Sequence, residues 1–310
     1  MSGAQDYSYI GSGKVYVKEY GAAAARVEVG NCSSLTFNVS ETEKSLVDHT
    51  KPGGGTRNEV RRIESCEAAL TLTDLSPDNL ARVLFGGTSA VVSAAVTDEL
   101  QVGYKDSFIP FTFLPDATPP TVKASSGDGA ASRANSTAYT LGQFYIPATP
   151  NGYFYKITTA GTSAASPPTF GTAVGGTTAD GTATITNMGL VTLVADTDYE
   201  VRPGGIYILE GARFTDGQTL KIGYTKTAAD IVQALISSAK DYELVFDGLN
   251  EARSGKSTRI TVYKLKIGAA SNVALIGDDY ATLPVSGKVQ QDTTKTGVGI
   301  SQYFRVDIAR

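Results

Sequence analysis

The stretch from Cys32 to Leu72, CSSLTFNVSETEKSLVDHTKPGGGTRNEVRRIESCEAALTL, decides how the chain reads. Its opening residues alternate. Leu35, Phe37 and Val39 fall on one side of an extended chain, and Ser34, Thr36, Asn38 and Ser40 fall on the other. Its closing residues do the same, with Cys66, Ala68, Leu70 and Leu72 set against Ser65, Glu67 and Thr71. A period of two means a strand with one buried and one solvated face. Between them, residues 41–62 carry charges of both signs, Pro52 and the triplet Gly53-Gly54-Gly55. The pattern breaks there and predicts a polar loop of about twenty residues, a length that in a compact domain usually signals function or disorder.

Upstream, Lys14-Val-Tyr-Val-Lys18 alternates as a strand. Downstream comes the clearest helix. Ser76 suits the N-cap, Pro77 the first helical position and Asp78 the positive end of the helix dipole. Leu80, Val83 and Leu84 form its apolar stripe, and Gly86-Gly87 ends it. Strand patterns return at 88–115, 198–224, 242–246, 259–263 and 302–308. Residues 228–240 fit either a helix or a strand. From 117 to 190 the composition changes. Only Lys123, Asp128, Arg133, Lys156 and Asp180 are charged, and Ala, Gly, Ser and Thr dominate. The expected organisation is therefore mainly β with one short helix: a core built from residues 1–115 and 197–310, interrupted by a small β-rich module at 116–196.

Composition excludes several functions. The 310 residues include 27 basic and 31 acidic side chains, a net charge of −4, so no basic nucleic-acid footprint is present. One His (His49) and two Cys (Cys32, Cys66) cannot build a typical metal site, and no cofactor or metal is expected. Neither a disulfide framework nor a signal peptide is read, which points to folding in a cytosol. Asn250-Glu-Ala-Arg-Ser-Gly-Lys-Ser-Thr258 mimics a phosphate loop, but Asn250 stands where the first Gly belongs and a strand follows instead of a helix. His49 has no evident catalytic partner, and no carboxylate pair stands out, so no enzyme activity is expected. The aromatic cluster Tyr145, Tyr153, Phe154 and Tyr155 fits two roles: stacking on sugar rings as an exterior binding patch, or forming the core of the small module.

The order of these features resembles the major tail tube proteins of tailed bacteriophages. The carrying residues are Val29-Gly-Asn31 entering Leu35–Val39, the polar Gly-rich segment 41–62, Cys66–Leu72, and Leu75-Ser-Pro-Asp-Asn-Leu80 leading to Phe85-Gly-Gly87. In the C-terminal part they are Leu244–Phe246, Gly248-Leu-Asn250, Ile260–Tyr263, Leu283–Val289 and Gln302–Val306. The resemblance spans roughly residues 5–115 and 197–310, and the 116–196 module departs from it. It implies a virion protein made in the bacterial host cytoplasm. Six copies would close a ring around a shared β-barrel, and rings would stack into a tube that conducts DNA during genome ejection. The implied partners are further copies of the chain and other tail proteins such as tape measure, terminator and baseplate or tip, with no membrane insertion.

On that reading the 41–62 segment is an arm toward a neighbouring copy. Its contact residues are Glu41, Glu43, Lys44, Asp48, His49, Lys51, Arg57, Glu59, Arg61 and Arg62. Thr36, Asn38, Ser65, Glu67 and Thr71 would face a neutral to acidic lumen, since cations there would grip phosphate. The 116–196 module would sit on the exterior. A β-rich carbohydrate-binding or adhesin module is the alternative expectation.

Overall fold

The computed structural model describes residues 6–310. It is mainly β with a single α-helix among the described residues. The chain forms two compact units, one from the segment ending at Ser89 together with Asp230–Arg310, the other from Ala90–Ala229.

The first unit is an eight-stranded antiparallel sheet. Its strands are β1 (Gly11–Glu19), β2 (Val27–Glu28), β3 (Cys32–Val47), β4 (Thr56–Leu72), β5 (Asp241–Asn250), β6 (Lys256–Ile267), β7 (Leu283–Val289) and β8 (Phe304–Ile308). The spatial order is β2-β1-β5-β6-β7-β4-β3, and β8 also pairs with β6. β6 serves two partners in turn: Thr258–Val262 meets β8, and Leu265–Ile267 meets β7. One sheet face is the core, where Val15, Val17, Cys66, Ala68, Leu70, Leu72, Leu244, Val262 and Val285 are buried. At roughly 1.5–3 kcal/mol for each large aliphatic side chain buried, this face holds the unit together.

The helix α1 (Pro77–Val83) closes over that core through Val83, Leu80 and Leu84. Its start follows the sequence signals: the Ser76 hydroxyl accepts from the Asn79 N–H at 3.3 Å, and Pro77 occupies the first turn. The buried Asn79 amide then donates to Val29 O (2.7 Å) and Asp74 O (3.0 Å), which ties the helix to the sheet.

The second unit contains two apolar clusters. Ile109, Val122, Ile206, Ile208, Phe214, Leu220 and Ile222 form one, between the sheets built on Gln218–Lys226 and Gly205–Ile208. The other belongs to a five-stranded sheet in the order Thr177–Asp180, Ala183–Leu190, Tyr153–Thr159, Phe144–Ile146, Ala131–Ser132. This unit takes in more chain than the expected 116–196 module. Strands at Ala94–Gly103, Ser107–Pro110, Tyr199–Arg202, Gly205–Ile208 and Gln218–Lys226 belong to it, because their apolar faces pack with Val122 and Leu193. The composition shift at 117–190 marks only the portion around the five-stranded sheet. Within 228–240, Ala229–Gln233 is a strand.

Candidate functional site

The largest correction concerns residues 41–62. They form a hairpin, not a loop. β3 and β4 pair from Cys32↔Leu72 out to Val47↔Thr56, and only Asp48–Gly55 turns. The turn is closed by Asp48 N–H donating to Gly55 O at 2.7 Å, while the Asp48 carboxylate accepts from Thr50 N–H at 2.9 Å. Those Thr50 hydrogen bonds lower the Asp48 carboxyl below its usual range. Gly53, Gly54 and Gly55 have φ of 99°, 67° and 137°, values open to glycine at little cost. The strand character of the flanks was hidden by their charges. Thr42, Val47, Thr56, Val60 and Ile63 are β-formers, and Glu43 sits in register with Arg61, to which it bonds at 3.4 Å.

The two halves of this hairpin differ in kind. From Cys66 inward, alternate residues are buried against the core. From Ser40 to Val47 and from Thr56 to Glu64, every residue is exposed on both faces of the ribbon. Val39 is 53 % exposed, Leu46 57 %, Val60 48 % and Ile63 71 %. A lone two-stranded ribbon is marginal in water, and its β3 edge is an open row of peptide groups. All ten expected contact residues lie on this arm or its turn, His49 in the exposed turn. Arg61 pairs with Glu43 and Glu59, whereas Lys44, Arg57 and Arg62 have no ion-pair partner among the described residues.

The five expected lumen residues share one face, the solvent face of the sheet. Thr36 lies opposite Ala69, Asn38 opposite Glu67, Ser34 opposite Thr71, and Ser40 opposite Ser65 with hydroxyls 2.7 Å apart. That face carries both signs in rows. Lys14, Asp247, Arg259 and Asp307 follow one another across β1, β5, β6 and β8. Arg259 bonds Asp307 at 2.7 Å, and Lys18 bonds Glu243 at 3.2 Å. Lys266, Lys288 and Glu67 form a second row across β6, β7 and β4.

The expected exterior aromatics are corrected. Tyr145, Phe154 and Tyr155 are 0 % exposed, and Tyr153 is half-buried. They alternate too little to leave a stacking face: Tyr145, Tyr155 and Tyr153 pack with Ile157, Ile185 and Phe170, and Phe154 packs against Phe144 with ring centroids 5.9 Å apart. Tyr145 donates to Asp180 at 2.9 Å. Asp180 also receives two bonds of 2.7 Å from Arg133, an ion pair with both side chains essentially inaccessible. Burial works to raise the Asp180 carboxyl, but the bonds from Arg133, Ala164 N–H and Tyr145 outweigh it and hold it below its usual range. Two of the five charges in the charge-poor stretch therefore pin its interior.

Other reactive groups are quiet. Cys66 is buried and Cys32 half-buried, both free; burial, with Asp74 nearby, pushes the Cys32 thiol up to about 11. The phosphate-loop mimic is a hairpin turn between β5 and β6, with Ser254 and Gly255 at positive φ. Among the described residues, no group of three or more His, Cys, Asp or Glu is placed to hold a metal, and no helix is long and apolar enough to cross a membrane.

In comparisons with known proteins, the sequence profile of the family described as "Protein of unknown function UCP028589" matches residues 8–170 and 157–307. No curated protein matches the chain.

Proposed function

The chain belongs to the UCP028589 family, and we propose that it is the structural subunit of a bacteriophage tail tube. Copies associate edge to edge into rings, which the notion of a six-fold shared barrel would close, and rings stack into a tube whose lumen conducts DNA. One observation carries this reading: a fully paired hairpin that projects beyond any core of its own, with apolar side chains exposed on it and the outer edges of both its strands open. Such a ribbon gains stability only when another surface covers it. Stacking through different surfaces of the same chain propagates without closing, which is the geometry of a filament.

The mixed-sign sheet face suits a lumen in a different way from an acidic one. Lys14, Lys18, Arg259 and Arg305 are held by Glu28, Glu243 and Asp307. Cations already paired release few counterions to a passing phosphate backbone, which weakens the grip on DNA. Other tail proteins, such as tape measure, terminator and baseplate or tip, are the partners this role requires, and the virion its location. The sugar-binding alternative has lost the residues that supported it, since Tyr145, Phe154 and Tyr155 are interior.

The test is negative-stain electron microscopy of the purified chain across a concentration series. Hollow tubes or stacked rings about 10 nm wide, the scale for six ~30 kDa subunits around a duplex-sized bore, are expected. A monomer at every concentration sinks the proposal.

A further inference from the structure

A polar pocket opens at the C-terminal end of α1, within the first unit. Its walls are Arg82 of the helix, the Gly86-Gly87 pair after it, Ser238 and Lys240 of the connection into β5, and Tyr242 of β5. At about 180 Å³ it is smaller than the roughly 300–1,000 Å³ of pockets for drug-sized ligands and matches a single ionic group.

Tyr242 marks it as a site. The residue is 8 % exposed and its ring belongs to the core cluster, yet its hydroxyl has no hydrogen-bond partner among the described residues. A buried polar group left unpaired costs free energy, and the pocket is where a partner can reach this one. Burial pushes the phenol above its usual value, so it stays an O–H donor at neutral pH, and Lys240 and Arg82 stand close enough to pull the other way.

The donors around the hydroxyl are cationic. Arg82 Nη1 donates to Asn79 Oδ1 at 2.6 Å, but the guanidinium forms no ion pair among the described residues and has further N–H groups to offer. Lys240 Nζ donates to Glu19 Oε2 at 2.9 Å and keeps two more donors. Asp78, exposed at the rim, is the one carboxylate among the lining residues described, so cations outnumber it two to one.

An anion at the C-terminal end of a helix would meet the negative pole of its dipole. Here that pole is neutralised within the chain. The carbonyls of Leu80, Ala81, Val83, Leu84 and Phe85 each accept a backbone N–H, the last two from Leu235, Ile236 and Ser237. A Cβ on Gly86 would come 2.4 Å from Gln233 O, so the connection into β5 lies directly on the helix end and forms a fixed wall of the pocket.

We propose that this pocket binds a phosphate group, free or at the end of a monoester, with Arg82, Lys240 and the Tyr242 hydroxyl donating to its oxygens. Donors that arrive from a helix, a connection and a strand suit the tetrahedral spread of phosphate oxygens better than a planar carboxylate. Charge-assisted hydrogen bonds of this kind are the strong ones. The inference stands apart from the tube reading and holds or fails without it.

The experiment is equilibrium dialysis of the purified chain against labelled inorganic phosphate, a measurement that assembled and dissociated chains both allow. One phosphate per chain is expected, with a dissociation constant of about 0.1 mM. Arg82→Gln weakens binding about tenfold or more, and Tyr242→Phe about threefold to tenfold. Lys44→Gln, which removes an unpaired cation on the arm, leaves it unchanged. Unfolding midpoints in phosphate-free buffer check that the variants fold. Tyr242→Phe removes only an unpaired hydroxyl, so it keeps the test sound should Arg82→Gln unfold. Competition by glycerol 3-phosphate makes a terminal phosphate the occupant, and competition by inorganic phosphate alone makes it the free ion. No saturable binding up to about 10 mM, an equal affinity for acetate, or variants that bind as the unaltered chain does would each overturn the site.

Discussion

The outer half of the β3–β4 hairpin and the ladder between Tyr153–Thr159 and Ala183–Leu190 are both regular antiparallel pairings, yet they are built for opposite ends. The second ladder is buried almost along its length, with Phe154, Tyr155, Ile157 and Ile185 inaccessible. The two charges buried beside it, Arg133 and Asp180, satisfy each other. The hairpin arm is charged, solvated on both faces, and bonded across by one exposed ion pair of small worth, Glu43–Arg61. Backbone pairing is equally complete in both. What separates them is what lies above and below the ladder. One is finished by its own module, and the other has both faces open to solvent.

The sharpest break of that contrast is Asp180→Ala. It leaves the buried Arg133 guanidinium without its counter-charge, with only Asn135 and the Ala164 and Ser166 carbonyls to bond, and removal of one member of a buried pair costs about 3–5 kcal/mol. Urea unfolding of the purified chain measures it, and a loss below about 1 kcal/mol would mean the pair is not the pin it looks to be. Leu70→Ala tests the inner part of β4. Leu70 is 4 % exposed, and truncation there costs about 2–5 kcal/mol.

Acid comes next. The carboxyls of Asp180 and Asp198 are both held below the ordinary 3.8; for each, burial opposes but hydrogen bonds dominate, chiefly from Arg133 and from Arg213 respectively. A depressed carboxyl stabilises the fold above its unfolded value and loses that contribution as pH falls through it. The second unit therefore holds steady from neutrality to about pH 4 and weakens below it, an effect that Asp180→Asn blunts; circular dichroism melts from pH 7 to pH 3 read it. The smallest effect sharpens the comparison most. Val60→Ala, ten residues from Leu70 on the same strand, shifts the stability of the dissociated chain by no more than about 0.5 kcal/mol. Amide exchange in the arm is fast in the dissociated chain and slows on assembly, whereas exchange at Ile157 and Ile185 is slow in both.

Much of the core was legible because its signals are local. Leu35, Phe37, Cys66, Ala68, Leu70 and Leu72 alternate as two half-buried strands should, and Ser76-Pro77-Asp78 announces a helix that begins there. The arm was misread because hydrophobic periodicity marks a strand only where one face is buried. Glu41–Arg62 buries neither face, so its strand character rests on pairing between Glu43 and Arg61 across the ladder, a relation that sequence order does not display. The aromatics at 144–155 were ambiguous because a Tyr packs equally well against a sugar or a core, and only burial distinguishes the two.

Alternation, caps and turn glycines alone determined that this protein is mainly β, with one short helix after β4 and a charge-poor region in the middle, since these depend on neighbours a few residues apart. Where the units divide, which face of the sheet is solvated, that Asp180 meets Arg133 and that the arm stands clear of any core were decided only by the tertiary structure. Each depends on residues tens to hundreds of positions apart, whose burial is set by what packs over them.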